Sequence, residues 1–311
     1  MRTSSKVVVV GGGTMGSAVA AIFSVAGWDT HVVDTDELVR AGLRETIREA
    51  SRSLGANGSE PAPAVYGALA DVDWTDVDIV IECIFEVLEA KQTLFAELES
   101  LCPAPTPLTS NSSSFPISQI GQGLATLNRM LGLHFFMPAH LVPAVEVVSS
   151  EKSDEQTALR VSEIMREVKK KPIRVKRDVP GFLANRIQHA LMREAIALVE
   201  EGFASPEDVD AAVRYGFGFR YVAAGPLLQK DLAGIDIHCA AAKTMYPYLH
   251  TNQEPSAYMT QLVANGDVGV KAASRRGFYQ WTAEQAAAEQ KRYETALLKA
   301  ARILSDEEDT N

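Results

Sequence analysis

Short apolar runs recur through the first half of the chain and predict strands. In the first run, Lys6–Val10, four valines follow a lysine. Side chains alternate between the two faces of a sheet, so a run that is apolar at every position indicates a strand buried on both faces, as in a parallel sheet. The other segments that predict strands are 30–34, 77–82, 108–110, 130–136 and 144–148.

Segments with helical spacing separate these strands. Residues 36–53 place Leu38, Ala41, Ile47 and Leu54 near one face of a helix. The other predicted helices are 18–23, 88–101 and 153–169. Strands that alternate with helices indicate a parallel, doubly wound sheet of the α/β class.

The helix predicted at 153–169 carries a signal at each end. Ser153 is its expected N-cap, with Gln156 at the capping-box position. Lys169–Lys171 close the helix, and we interpret this basic run as cations that lie beside the helix C-terminus and favour it.

The pattern changes after Asp178–Gly181, where strand signals cease. Long helical stretches follow, of which Phe182–Glu201 alone could form about five turns. We therefore predict an N-terminal α/β domain over residues 1–179 and a smaller all-α domain over residues 180–304. The acidic end, 305–311, is predicted to be a disordered tail.

The composition excludes several classes of protein. The 311 residues suffice for about two domains, and 40 acidic against 30 basic residues give a net charge of −10, unlike a nucleic-acid binder. Cys83, Cys102 and Cys239 stand singly, which excludes a disulfide scaffold and a cysteine-based zinc site, so no metal is expected. No apolar run approaches the roughly 18 residues of a membrane span, and the N-terminus lacks signal-peptide features. We expect a cytoplasmic protein with no membrane partner.

A glycine-rich loop between the first strand and the first helix predicts a dinucleotide site. It has the pattern GxGxxG, with Thr14 and Met15 between its last two glycines. Gly11 permits the tight turn, Gly13 lets the backbone approach a pyrophosphate, and Gly16 lets the helix pack against the strand. The pyrophosphate is expected at the helix N-terminus, where backbone N–H groups favour anions.

An acidic residue, Asp34, ends the second predicted strand. Its carboxylate would accept hydrogen bonds from the adenosine ribose diol, and its charge would repel a 2′-phosphate. The sequence therefore favours NAD over NADP. Alternatively, the loop 11–16 is a glycine-rich turn that binds no cofactor.

Polar residues near the ends of later strands are candidates for the reaction site. Glu86 and Lys91 flank the start of the helix after strand 77–82. They are either solvated charges or part of the ligand crevice at the carboxyl edge of the sheet. His134 lies among phenylalanines and Glu146 among valines, and a buried carboxylate needs a partner. A His–Glu dyad would fix the imidazole tautomer and leave the other nitrogen as a base.

Together these motifs resemble the L-3-hydroxyacyl-CoA dehydrogenases over almost the whole chain. The matching segments are 10–16, 81–82 with Glu86, 110–114, 132–136, 180–186, 225–226 and 277–279. The resemblance implies a Rossmann domain followed by an all-helical domain that forms a homodimer. It also implies that NAD-dependent hydride transfer interconverts an L-3-hydroxyacyl-CoA and a 3-ketoacyl-CoA in fatty acid metabolism.

The resemblance assigns a role to each site residue. His134 would be the general acid/base and Glu146 its orienting partner, while Ser113 and Asn185 would bind the substrate oxygen. The residues implied to contact the nicotinamide half of NAD are Glu86, Lys91 and Ser113.

The chain departs from the family pattern in four places. Met137 replaces an asparagine, the segment between Asp34 and strand 77–82 is short for a CoA-binding helical hairpin, and the closing element 271–279 is stretched. Arg220 lies in segment 216–221, which resembles the branch acting on small acids, such as the L-gulonate and carnitine dehydrogenases. Arg220 is thus a candidate ligand of a substrate carboxylate or, alternatively, an anchor for a loop.

An arginine ladder on the helix 36–53 favours the other substrate class. Arg40, Arg44, Arg48 and Arg52 recur every four residues, and Arg44 and Arg48 are candidate ligands of CoA phosphates. The ladder also fits a solvated, salt-bridged surface, because glutamates precede three of the arginines by three residues. A CoA thioester, a free small hydroxy acid, and a non-catalytic NAD(H)-binding role like that of lambda-crystallin remain open.

Overall fold

One sheet of eight strands organises the N-terminal part of the protein in a computed structural model, which describes residues 4–58 and 62–308. The strand order is β3-β2-β1-β4-β5-β6-β7-β8. The strands are β1 (Lys6–Val10), β2 (Asp29–Val33), β3 (Ala64–Tyr66), β4 (Ile79–Glu82), β5 (Leu108–Ser110), β6 (Met130–Phe135), β7 (Ala144–Val148) and β8 (Lys171–Val175). This order confirms the predicted Rossmann α/β class and puts its crevice at the carboxyl ends of β1 and β4.

The helices alternate with the strands and then continue alone. The first five are α1 (Thr14–Val25), α2 (Glu37–Ser53), α3 (Leu88–Leu101), α4 (Ile117–Ile120) and α5 (Glu155–Glu167). The remaining six are α6 (Ala184–Glu200), α7 (Pro206–Ala211), α8 (Pro226–Ala233), α9 (Ile235–Met245), α10 (Ala257–Ala264) and α11 (Ala283–Glu308). In the described part of the chain, no helix is both long and apolar enough to cross a membrane.

The valines of β1 belong to two separate cores, one on each face of the sheet. Val7 and Val9 pack in one core with Phe23 of α1, and Val8 packs in the other with Phe95 of α3. All five side chains are inaccessible to solvent. Burial on both faces explains why β1 is apolar at every position that faces a core.

The sheet is not wholly parallel, contrary to the prediction. β6 and β7 pair antiparallel, while β7 and β8 are parallel to each other. The connection from Phe135 to Ala144 is too short for the crossover that parallel neighbours require. The two short strands β3 and β8 were also not predicted, since β3 has three residues and β8 carries a proline, which an edge strand tolerates.

The N-terminal signal of α5 was assigned to the wrong residue. Asp154, not Ser153, caps this helix, and its carboxylate accepts from the backbone N–H of Thr157. The Ser153 hydroxyl instead accepts from Ser150 N–H and donates to the Met130 carbonyl. Both serine and aspartate are good N-caps, so the local sequence does not choose between them.

The basic run Lys169–Lys171 follows the C-terminus of α5 and contains one buried cation. Lys170 is buried, and its Nζ donates to the carbonyl oxygens of Ala139 and Val142, at 2.7 and 2.8 Å. This ammonium group therefore holds the connection between β6 and β7. A buried cation needs such hydrogen bonds to replace water.

The chain divides into two compact units, residues 1–185 and 186–311, whereas the sequence placed the division between 179 and 180. Residues 180–185 stay with the first unit because the backbone N–H groups of Leu183 and Ala184 bond to Glu146. The predicted tail begins too early, since α11 continues to Glu308 and no glycine or proline interrupts it. Residues 309–311 lie outside the described residues.

The second unit has little core of its own. Among residues 186–305, only Ala197 and Ala272 are buried. Between α7 and α8 the chain forms a π-helical segment, Ala212–Phe217, and a 3₁₀ segment, Gly218–Val222. Large apolar side chains such as Leu227 and Leu232 are exposed.

Candidate active site

The glycine loop after β1 has the shape of a phosphate cradle. Gly11 has a positive φ of 100°, and a Cβ there would lie 2.7 Å from the carbonyl group of Cys83. A Cβ on Gly16 would lie 1.7 Å from the Gly11 carbonyl oxygen, so α1 could not pack as it does. Around Gly13, in contrast, a Cβ would meet nothing within 4 Å. The loop thus needs glycine for packing at two positions and leaves open space at the third.

The N-terminus of α1 opens on this space. Gly13 is the N-cap and provides no side chain to bond the first N–H groups of the helix, which begins at Thr14. Uncapped N–H groups and the helix dipole favour an anion at this point. The cradle therefore fits the pyrophosphate of a dinucleotide.

The Asp34 carboxylate lies beside the cradle. Its Oδ2 accepts from Gly12 N–H at 2.6 Å, and its Oδ1 accepts from Asp36 N–H at 2.9 Å. These two bonds orient the carboxylate at the carboxyl end of β2, next to the loop. The contact of this carboxylate with the adenosine ribose stays a prediction.

His134 and Glu146 meet as the sequence predicts. His134 Nδ1 lies 2.8 Å from Glu146 Oε2, and both side chains are buried, with residue exposures of 4% and 0%. The other carboxylate oxygen, Oε1, accepts from the N–H groups of Leu183 and Ala184 at 3.1 and 2.8 Å. Burial alone would raise the pKa of Glu146, but the bonds from His134 and the two amides hold it below its ordinary value.

The second imidazole nitrogen of His134 points at Ser113. Nε2 lies 3.1 Å from Ser113 Oγ. In a neutral imidazole whose Nδ1–H donates to the carboxylate, Nε2 carries the lone pair and can accept from the serine hydroxyl. This tautomer presents a base at Nε2. Phe136 and Phe182 enclose the ring, with centroids 4.8 and 5.6 Å from that of His134.

Glu86 holds the loop that carries Ser113. Its Oε1 accepts from the Ser112 hydroxyl at 2.6 Å, from both N–H and hydroxyl of Ser114, and from Ser113 N–H at 3.0 Å. Burial opposes the charge, yet the bonds from Ser112 and Ser114 and the nearby Lys91 keep the pKa of Glu86 below its ordinary value. The carboxylate is thus a charged anchor for the serine loop.

Lys91 supports this anchor from inside the protein. Its side chain is 1% exposed, and Nζ lies 2.6 Å from Glu82 Oε1 and 3.2 Å from Glu86 Oε2. The ammonium group faces the buried carboxylate of Glu82 and the partly exposed carboxylate of Glu86. The structure thus exposes Glu86 and buries Lys91, and their contacts with the nicotinamide stay predictions.

Glu82 is a part of this network to which the sequence analysis gave no role. Its Oε2 accepts from Ser110 Oγ at 2.5 Å, and its Oε1 accepts from Ile84 N–H at 2.7 Å. Burial raises the pKa of Glu82, and Lys91 and Ser110 oppose this effect. A lone glutamate at the end of the apolar run 77–82 was the available signal.

Comparison with known families assigns both units. The sequence model of the "3-hydroxyacyl-CoA dehydrogenase, NAD binding domain" matches residues 6–179, and that of the "3-hydroxyacyl-CoA dehydrogenase, C-terminal domain" matches residues 181–281. The chain belongs to the 3-hydroxyacyl-CoA dehydrogenase family. As a member of this family it is an oxidoreductase with NAD as its cofactor.

Curated proteins that are similar to this chain are named for different substrates. A 5-formyl-3-hydroxy-2-methylpyridine 4-carboxylate 5-dehydrogenase from Mesorhizobium japonicum is 30% identical, over 97% of this chain and 99% of its own. A 3-hydroxybutyryl-CoA dehydrogenase from Mycobacterium tuberculosis is 33% identical, over 89% of this chain and 98% of its own.

Two solved structures match the chain over most of its length. A 5-formyl-3-hydroxy-2-methylpyridine 4-carboxylic acid 5-dehydrogenase, an NAD⁺-dependent dismutase, matches with a TM-score of 0.90 at 28% identity, over 97% of this chain and 99% of that chain. An (S)-3-hydroxybutyryl-CoA dehydrogenase from Ralstonia eutropha matches with a TM-score of 0.71 at 26% identity, over 90% of this chain and 100% of that chain.

The residues that depart from the family pattern lie as follows. One helix, α2, separates β2 from β3, and residues 59–61 of that connection lie outside the described part. On α2, Arg48 and Arg52 both pair with Glu45, Arg44 is exposed, and Arg40 turns toward Asp34. Met137 is 61% exposed.

The last two candidates lie late in the chain. Asn185 is the second residue of α6, directly after Ala184, whose N–H bonds to Glu146. Arg220 is exposed in the 3₁₀ segment Gly218–Val222, where its carbonyl oxygen accepts from Ala223 and Ala224 N–H.

Proposed function

We propose that the protein is an NAD-dependent dehydrogenase of a small organic acid that carries no CoA. The observation that carries this proposal is the TM-score of 0.90, over almost the entire chain, with a dehydrogenase named for a pyridine carboxylate. The match with the (S)-3-hydroxybutyryl-CoA dehydrogenase reaches 0.71. The reacting group would be a carbinol, or a hydrated formyl group, which presents the same H–C–O–H unit.

His134 acts as the general base in this proposal. Its Nε2 accepts the hydroxyl proton of the substrate while the carbinol carbon loses its hydride. Ser113, now bonded to Nε2, is placed to hold the substrate oxygen next to this nitrogen. Asn185 would bind the same oxygen from the start of α6, as the family resemblance implies. Bound NAD supplies the hydride acceptor.

Glu146 balances the charge that forms on His134. The imidazolium would face a carboxylate 2.8 Å away in a buried setting, where electrostatic interactions are strong. Since two backbone amides hold the other oxygen, the carboxylate does not have to reorganise during the reaction. In the proposed dyad, the only change during the reaction is therefore that Nε2 of His134 gains the proton of the substrate.

The cofactor contacts are proposed from the same geometry. The cradle formed by Gly11–Gly16 would hold the pyrophosphate, and Asp34 the adenosine ribose. Glu86 and Ser113 would contact the nicotinamide half, while Lys91 would act only through Glu86.

The sites for the substrate tail support a small acid over CoA. Two of the four ladder arginines are paired with Glu45, which weakens the case for a phosphate-binding stripe, although Arg44 remains exposed. Arg220 is the candidate ligand of a substrate carboxylate. A CoA thioester remains the second candidate, because the Mycobacterium tuberculosis relative at 33% identity is named for one.

A substrate panel tests the proposal. NADH absorbance would be followed with 5-formyl-3-hydroxy-2-methylpyridine 4-carboxylate, L-gulonate, carnitine and 3-hydroxybutyryl-CoA. Turnover of a free acid, with a steep rise in KM for Arg220→Met and none for Arg44→Ala, supports the small-acid assignment. Turnover of the thioester alone contradicts it. Tight NADH binding without turnover of any compound would instead favour a non-catalytic protein.

We also propose that the protein is a homodimer. The 120 residues from 186 to 305 bury only two alanines, and exposed leucines such as Leu227 and Leu232 lie among them. A unit with so little buried apolar surface needs a second chain to cover it. Because two copies of one surface assemble most simply about a twofold axis, a symmetric dimer is the expected form.

A further inference from the structure

Arg40 occupies a particular place at the edge of the cofactor site. It is in the first turn of α2, and its Nη1 donates to the backbone carbonyl of Asp34 at 2.8 Å. Its guanidinium carbon lies 3.5 Å from the position of a Cβ on Gly67, the residue after β3. The Asp34 N–H bonds to the Tyr66 carbonyl at 3.1 Å. The guanidinium group therefore lies at the carboxyl ends of β2 and β3.

This position differs from that of the other ladder arginines. Arg48 and Arg52 direct their guanidinium groups to the exposed carboxylate of Glu45. Arg40 directs one of its five N–H donors to the main chain of the residue whose carboxylate lies at the cofactor site. A backbone carbonyl carries no charge, so this bond does not neutralise the positive charge of Arg40.

Asp34 and Arg40 place opposite charges where the adenosine ribose is expected. The Asp34 carboxylate is fixed by Gly12 and Asp36 N–H groups and suits a ribose diol. A guanidinium group is the preferred partner of a phosphate, which it can bind with two parallel bonds. One subsite thus contains the ligand for a 2′-hydroxyl and, beside it, the ligand for a 2′-phosphate.

We propose that Arg40 is a 2′-phosphate ligand whose use is prevented by Asp34 alone. The Asp34 carboxylate repels a 2′-phosphate, and this repulsion outweighs the attraction of Arg40. Once the Asp34 charge is removed, the same site binds NADP(H) through Arg40. The selectivity for NAD(H) over NADP(H) therefore depends on the charge of Asp34. Once that charge is removed, Arg40 binds the 2′-phosphate without any other substitution.

The test is calorimetric titration of NADH and NADPH without substrate. The proteins are the wild type, Asp34→Asn, Asp34→Asn with Arg40→Leu, and Asp34→Asn with Arg52→Leu. Arg52 is the matched control, because it is on the same helix, roughly 18 Å further along the axis, and pairs with Glu45.

Asp34→Asn should raise NADPH affinity at least about tenfold. Adding Arg40→Leu should then lower NADPH affinity about 10- to 100-fold, as expected for a charge-assisted hydrogen bond, with NADH affinity changed less than about threefold. Adding Arg52→Leu should change neither affinity. The loss of NADPH affinity caused by Arg40→Leu should become smaller as salt is added, because salt screens the charges.

Two results overturn the proposal. One is an Asp34→Asn protein, folded by its melting curve, that gains no NADPH affinity; Asp34→Ser replaces it if the asparagine variant does not fold. The other is an equal loss of NADH and NADPH with Arg40→Leu, which would make Arg40 only a support for the Asp34 backbone. Neither result bears on the proposed substrate, since no substrate is present.

Discussion

His134 and Glu146 are directly paired residues in the antiparallel register of β6 and β7. Paired side chains on such strands have Cβ atoms about 4.5–5.5 Å apart, so a histidine and a glutamate can bond without strain. His134 and Glu146 are twelve positions apart in the sequence, and the hairpin brings Nδ1 of the histidine to 2.8 Å from Oε2 of the glutamate. The contact is built into the sheet, and the second imidazole nitrogen, Nε2, lies 3.1 Å from Ser113 Oγ.

Replacing the proposed base should affect chemistry and not cofactor binding. His134→Gln should lower kcat by about 10²–10⁴-fold, the usual contribution of general acid–base catalysis. NADH affinity should stay nearly unchanged, because the glycine cradle is formed by other residues. Steady-state kinetics on the substrate found by the panel, with calorimetry for NADH, measures both. Near-normal kcat in this variant would remove His134 from the mechanism.

The anchor for the serine loop can be tested separately. Glu86→Gln should lower kcat about tenfold, because losing a charge-assisted hydrogen bond of about 1.5 kcal/mol loosens Ser113. The matched control is Glu89→Gln, an exposed residue in the first turn of α3, which should leave kcat unchanged. Equal kinetics for the two variants would show that Glu86 has no role in positioning Ser113.

The buried pair of Glu82 and Lys91 makes a prediction about stability. Lys91→Met leaves the Glu82 carboxylate unpaired in the interior and should lower the free energy of unfolding by about 3–5 kcal/mol. Adding Glu82→Gln should recover a large part of this loss, because the double variant contains no unpaired charge in place of the pair. Urea denaturation measures both values. A double variant less stable than Lys91→Met would contradict the expected coupling.

A histidine in the helical unit should make the protein's stability depend on pH. His250 Nε2 lies 2.8 Å from Glu201, directly after α6, and Nδ1 lies 3.1 Å from Glu194 on α6, and these carboxylates raise the pKa of His250. A raised folded-state pKa stabilises the fold fully below the unfolded value of 6.5, and the contribution is lost as pH rises through the folded value.

Melting temperatures should therefore separate the wild type from His250→Gln most strongly below pH 6.5. The difference should decrease at higher pH, as His250 loses its charge between the two glutamates. His238→Gln is the control, a replacement of a partly exposed histidine on α9 that should preserve the pH dependence of the wild type. A difference that is constant with pH would mean that His250 contributes through neutral hydrogen bonds only.

Light scattering should give a mass near twice the chain mass of 33.7 kDa at micromolar concentration. The helical unit requires this result if a second copy covers its exposed leucines. The melting temperature should also rise with protein concentration, because association stabilises the folded chain. A monomeric mass over the whole concentration range would refute the homodimer.

The fold and the cofactor site were predicted mainly from local motifs in the sequence. A run of four valines gives β1 because each position faces a core, and the glycine pattern gives the turn, the close packing of α1 and the phosphate cradle. Asp34 follows directly from its place at the end of β2. These features depend on neighbours in the chain, so their physical causes can be read from short segments.

The sequence also singled out His134, Glu146, Ser113 and Glu86, partly through the family resemblance. It did not determine how they connect. The pattern of Glu86, an exposed charge at a helix start, was equally consistent with a solvated position. Only the fold brings Ser112–Ser114 to its carboxylate, because β4 and β5 are neighbours in the sheet.

Burial of charge was decided by tertiary structure alone. Lys91 and Lys170 have side chains of the same type, and the sequence placed one at the start of a helix and the other beside the end of a helix. The structure buries both, one against two carboxylates and the other against carbonyl oxygens. The pattern along the chain determined where the strands, turns and glycine cradle form, because those depend on local sterics and periodicity. Which charges are removed from water depends on partners many residues away, and only the assembled sheet provides them.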